Sequence, residues 1–230
     1  MVPTLSNAVT AIKRALDILI PYAQKKLVRN IAILRTHGIP EYNISKLLVV
    51  KPTVFIRSPR FFEVVEEVKK MKFDPSKDIF VRAIIVMLSL SKSSWEAKVE
   101  VYKRCGCSDE DIHMVFRSNP ISMLLSEKKI MGTMRFLVNE MGYDPLVIIK
   151  RPTTLCYSLE KRIAPRLSVV KVLISNGLVE KGCKLSTYLD LPEKKFFQKF
   201  VTRFVELTPE LIDAYQGKRN DLLQAAATTN

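Results

Sequence analysis

Apolar residues recur at spacings of three and four along this chain, as in Ile130, Met134, Leu137 and Met141. That spacing lays one stripe along a helix. Stretches of this kind predict long helices over approximately 58–71, 124–141 and 159–176. Ahead of each lies a shorter apolar stretch that ends against Pro52, Pro120 or Pro152, because proline cannot continue a preceding helix. The unit so described is a short helix, a proline turn and a longer helix.

Glycines set the period. Gly38, Gly106, Gly142 and Gly177 each follow a helical pattern, at gaps of 68, 36 and 35, and Lys72 stands where a glycine would halve the first gap. A glycine at that place reads as a left-handed C-terminal cap. Start signals follow each stop: Pro40, Asp74 with Pro75, Ser108 with Asp109, and Asp144 with Pro145. Asp before Pro puts an N-cap oxygen and a preset φ at a helix start, and Ser108 with Asp111 resembles a capping box. The second unit departs from the pattern, since residues 79–90 hold no proline to mark a turn.

Residues 8–37 fit a further unit, with Pro21 near its break, so the chain is expected to open inside the array. Residues 184–217, with Pro192 and a helix carrying Phe196, Phe197, Phe200 and Phe204, read as a terminal cap. One helix pair cannot cover its own apolar face, whereas stacked neighbours can. The expectation is an all-α superhelical solenoid of repeats of about 34 residues, one domain over 8–217, with a frayed tail at 218–230.

Charge changes the picture from scaffold to binder. Thirty-seven Lys and Arg against 23 Asp and Glu leave a net charge of +14, and residues 1–179 carry 29 of those bases and 16 of the acids. Such a field suits a polyanion. No apolar run approaches the roughly 20 residues needed to span a bilayer, and residues 1–10 show neither a secretory signal nor an evident organelle address. The partner expected is nucleic acid rather than membrane, bound by a monomer.

A solenoid that lays one polyanion along its inner face should repeat its bases with its units. Lys26, Arg60, Lys128 and Lys161 do so at gaps of 34, 68 and 33, with Lys25, Lys129 and Arg162 beside them. The second unit offers Ser94 at that slot, with Lys92 or Lys98 nearby. A further set sits at the turns: Lys51, Arg117, Lys150 and Arg151. Ordinary helix-end charges are the competing explanation, because bases favour helix C-termini.

Other chemistry is sparse. Cys105 and Cys107 lack a second close ligand pair, and His37 and His113 lie apart, so neither a metal nor a cofactor is expected. The four cysteines, with Cys156 and Cys183, are expected as reduced, mostly buried thiols. Trp95, Tyr143 and Tyr157 are candidate base stackers that helix packing explains equally well or better. Phosphate loops, zinc-protease helices and nucleophile elbows are missing, and Asp109-Glu110-Asp111 reads as a helix start, so the chain is read as a binder rather than an enzyme with a catalytic set.

Several ordered stretches carry a family likeness: NIAILRTHGIP at 30–40, SKSSWEAKVEVYKRCGCSDEDI at 91–112, SNPISMLLSEKKIM at 118–131, RPTTLCYSLEKRI at 151–163, LPEKKFFQKFV at 191–201 and AYQGK at 214–218. Through them the chain resembles the mitochondrial transcription termination factor family in its plant organellar branch. The resemblance implies a left-handed superhelix with a basic inner groove. It also implies a role in chloroplast or mitochondrial gene expression, in transcription termination, its regulation or RNA processing, through double-stranded DNA or RNA. The runner-up is a helical-repeat protein-interaction scaffold of the tetratricopeptide kind, whose W…LG…Y pattern is missing. A pentatricopeptide-like RNA reader is third.

Overall fold

The structure, a computed structural model, describes residues 9, 12–13 and 21–217, and all regular secondary structure among them is helical. The expected tail at 218–230 and the start of the first unit lie outside the described residues. Contacts divide the chain into two compact units. One runs through Glu127 and takes in Ile149–Pro152; the other holds Lys128–Ile148 and the residues from Thr153 onward.

The first unit is built from α1 (Pro21–Thr36), α2 (Glu41–Val50), α3 (Thr53–Arg57), α4 (Phe61–Lys70), α5 (Asp78–Ser89), α6 (Lys92–Arg104), α7 (Asp109–Ser118) and a 3-10 turn, Pro120–Leu124. Next comes α8 (Glu127–Arg135), which runs on as a π turn, Phe136–Glu140, and is followed by α9 (Pro145–Ile149) and a 3-10 turn, Pro152–Cys156. A π turn, Leu159–Ile163, leads into α10 (Ala164–Ser175); α11 (Leu185–Leu189) and α12 (Glu193–Phe197) with its π turn Gln198–Thr202 follow. Breaks therefore fall at Pro52, Pro120, Pro152 and Pro192, as the sequence predicts.

The helix stops have one backbone solution. Gly38, Gly106, Gly142 and Gly177 have φ between 68° and 84°, and Lys72 adopts the same left-handed state at 62°. After each of the four glycines the next amide reaches back to close the helix end, as in Ile39 to the Leu34 carbonyl at 3.1 Å and Leu178 to the Leu173 carbonyl at 2.9 Å. Ile39, Phe73 and Cys107, each one residue past a stop, are buried, the apolar contact that accompanies this cap.

Starts are less uniform. Ser108 and Asp111 form a reciprocal capping box on α7, and the Asp144 carboxylate accepts from the Leu146 amide at 2.8 Å at the start of α9. Asp74 departs from expectation. Its carboxylate accepts from the amide and hydroxyl of Ser76, closing a local turn, and α5 begins only at Asp78 with Lys77 as N-cap. An Asx turn competes with helix capping for the same oxygen. In the second repeat, which has no proline turn, Leu90 is extended (φ −106°, ψ 136°) and Ser91 caps α6 by accepting from the Ser94 amide at 3.1 Å, so a serine does there what proline does elsewhere.

Burial follows the stripes. Leu47, Phe55, Phe61, Val64, Phe80 and Ile84 are 0–2% exposed in the first unit, and Ile130, Leu137, Leu167, Leu173 and Phe196 are 0–1% exposed in the second. Each such side chain contributes about 1.5–3 kcal/mol. Of the cysteines only Cys107 is buried; Cys105, Cys156 and Cys183 are half-buried, which corrects the expectation of mostly buried thiols. No helix among the described residues is long and apolar enough to cross a membrane.

Candidate functional site

Turns broken by proline leave carbonyls that no helix satisfies, and a buried carbonyl without a donor is costly. Side chains from earlier helices supply the donors. Asn30 donates to the Phe55 carbonyl at 2.7 Å, the Tyr102 hydroxyl to Ser122 at 3.0 Å and the Lys98 ammonium to Leu125. In the second unit Lys129 donates to Cys156 at 2.9 Å and Arg162 to Leu191 at 2.8 Å.

This recurring tie separates the bases that the sequence treats as one set. Lys129 and Arg162 are half-buried and held by backbone, and Arg162 also lies over the Tyr157 ring at 4.4 Å. Their immediate neighbours Lys128 and Lys161 are exposed and engage no carboxylate among the described residues. A phosphate could reach the second pair without breaking any internal bond.

In the first unit Lys51, ahead of the Pro52 turn, and Arg60, at the N-cap of α4, line one cleft of about 450 Å³ with Ser58, Ser89 and Ser91. The turn set and the longer-helix set thus meet there. Lys51 donates to the Ser89 hydroxyl at 3.0 Å, and Ser91 opens the N-terminus of α6, whose unsatisfied amides favour negative charge. Arg60 stands 3.7 Å from Glu63 and 3.9 Å from Glu67, all three at least 40% exposed. Pairs so long and so exposed contribute little, leaving the guanidinium available to a phosphate.

The remaining candidates are scattered. Lys25 is exposed, and Lys26 is half-buried with its ammonium 5.3 Å from the Tyr22 ring. Arg117, Lys150 and Arg151 are exposed in the first unit. Trp95 is half-buried and meets Phe116 edge-on at 5.0 Å, which fits packing. Tyr157 carries Arg162 and donates to Asp190 at 3.1 Å, a structural post.

Among the described residues no group of three metal-ligating side chains gathers around Cys105 and Cys107. Burial pushes both thiols up, that of Cys107 to about 12 with help from Cys105 and Asp111.

One basic residue is placed by the structure alone. Arg166 on α10 is 1% exposed and donates to the Tyr188 and Leu191 carbonyls at 2.9 and 2.7 Å and to Glu193 at 2.7 Å. Its guanidinium lies 4.7 Å from the Phe196 ring. Its spacing of four from Arg162, on the same helical face, is the signal that would have found it.

The mTERF family model matches residues 10–197. Transcription termination factor MTEF18, mitochondrial, of Arabidopsis thaliana is 29% identical over 102 residues, covering 44% of this chain and 18% of that protein. The match spans less than a fifth of that relative's length.

Proposed function

The chain belongs to the mTERF family, and from that premise we propose that it is an organellar nucleic-acid-binding factor acting by occupancy. It holds double-stranded DNA or RNA through phosphate contacts and blocks or recruits other machinery without covalent chemistry. Transcription termination or its regulation, or RNA processing, is the process it serves, in the mitochondrion or chloroplast. The similarity to an Arabidopsis mitochondrial termination factor agrees with the plant organellar branch.

The observation that carries the reading is the convergence of Lys51 and Arg60 on one hydroxyl-lined cleft, in a chain of net charge +14. A cleft with two bases, three serines and a helix N-terminus matches the needs of a phosphate. Exposed Lys128 and Lys161 add contacts in the second unit. The chain acts as a monomer and uses no cofactor.

The test replaces Lys51 and Arg60 together with Ala and measures duplex binding over a salt series. The variant should stay folded by circular dichroism, bind all sequences more weakly, and have a salt slope lower by about 1.8 on duplex DNA, at about 0.9 per lost phosphate. A folded variant with unchanged affinity and slope overturns the cleft assignment.

A further inference from the structure

A second cavity, of about 450 Å³, lies within the second unit and shares no residue with the phosphate cleft. One face of α10 forms its wall: Leu167, Val170, Lys171, Ile174 and Ser175 follow one another at helical spacing. Met141, Gly142 and Tyr143 close one side, and Lys181, Gly182 and Cys183 another, with Tyr188 of α11 behind them. This volume falls in the range of small-molecule sites, which commonly join apolar walls to a few convergent polar groups.

Every charged group in the lining has the same sign. Lys171 and Lys181 line the cavity and no carboxylate does. Burial raises the pKa of both Tyr143 and Tyr188, so both phenols remain hydroxyl donors at neutral pH. Tyr188 is 1% exposed. Its hydroxyl lies beside the Cys183 thiol, a weak acceptor, and meets no partner in good hydrogen-bond geometry. A buried hydroxyl with only a thiol beside it is poorly satisfied, and what this lining lacks is a charged acceptor.

We propose that this cavity is a ligand site for a small amphipathic anion, an oxyanion head on an apolar body of medium length. The body lies against Leu167, Val170 and Ile174. The head faces Lys171 and Lys181 and takes hydrogen bonds from Tyr143 and, with a small displacement of Cys183, from Tyr188. A carboxylate and a phosphate monoester share this chemistry. The site does not depend on the nucleic-acid reading.

The full chain is titrated by calorimetry with octanoate, octyl phosphate, octanol and acetate, and alkylation of each cysteine by iodoacetamide is followed by mass spectrometry. Octanoate or octyl phosphate should bind saturably and slow alkylation of Cys183, with Cys105, Cys107 and Cys156 unaffected. The tighter of the two identifies the head group. Octanol should bind more weakly for want of charge, and acetate for want of a body. Tyr188→Phe should fold with undiminished stability and bind the preferred anion about tenfold more weakly, the value of one hydrogen bond to a charged acceptor. Lys171→Gln with Lys181→Gln should abolish the preference for the anion over octanol. No saturable binding, equal protection of all four cysteines, or unchanged affinity in both folded variants overturns the proposal.

Discussion

Replacing Lys72 with glycine should stabilise this protein although it removes a side chain. Lys72 has φ of 62°, alone among the described non-glycine residues in being left-handed. The Cβ penalty of that state is about 1–2 kcal/mol. Glycine removes the penalty but adds unfolded-chain entropy worth about 0.4–1 kcal/mol, for a net gain of about 0.5–1 kcal/mol. Lys72 is exposed and loses no packing, while Lys69 and Lys70 keep the last turn of α4 basic. Comparing Lys72→Gly with Lys72→Ala cancels the charge change, and glycine should be the more stable variant by a margin of that size in urea denaturation. In a chain of this length a gain of 1 kcal/mol corresponds to roughly 2–4 °C in Tm. The reverse change, Gly106→Ala, meets no atom within 4 Å, so its cost is backbone strain less the unfolded-chain entropy that glycine carries and should be of the same size. Should Lys72→Ala equal or exceed Lys72→Gly while Gly106→Ala is neutral, the repeating left-handed stop is wrong as an account of the period.

Adjacent lysines should behave oppositely. Lys128→Ala should leave stability within about 0.5 kcal/mol and weaken duplex binding, whereas Lys129→Ala should cost about 1.5–3 kcal/mol by stripping the Cys156 carbonyl of its charged donor. Equal effects in both assays would refute the division between exposed and tied bases. The Cys107 thiol, raised by burial to about 12 from an unfolded value near 8.5, makes a pH prediction. Between those values the folded state keeps a proton that the unfolded state loses, so this residue's contribution is complete below about pH 8.5 and declines as pH rises toward 12. Urea denaturation at pH 8 and pH 10 should show a steeper loss for the parent than for Cys107→Ala, by about 1–2 kcal/mol, and parallel losses would contradict it.

What was legible in the sequence is what the backbone demands locally. Gly38, Gly106, Gly142 and Gly177 are read correctly because a left-handed residue must end each helix, and the proline breaks because proline lacks an amide. Asp74 reads as a helix cap but closes a turn on Ser76, since nothing in its immediate sequence says whether Ser76 or the helix takes its oxygen. The roles of the bases are a tertiary matter. Lys128 and Lys129 are neighbours of the same type, and only the position of the next proline turn makes one a surface charge and the other an internal tie. For Arg166 the sequence offers only its spacing of four from Arg162, and the partners that fix its role, Tyr188, Leu191 and Glu193, lie 22 to 27 residues away.

The central claim is that this chain holds a nucleic acid by its phosphates, and the measurement nearest to it is the affinity of the full chain for one duplex between 50 and 200 mM salt. If Lys51, Arg60, Lys128 and Lys161 each neutralise one phosphate, the logarithm of the binding constant for duplex DNA should fall against the logarithm of salt with a slope of about −3.6. Substituting all four with Ala in a protein that stays folded should remove most of it. A parent slope near zero, or a slope that survives the loss of all four bases, would contradict the account.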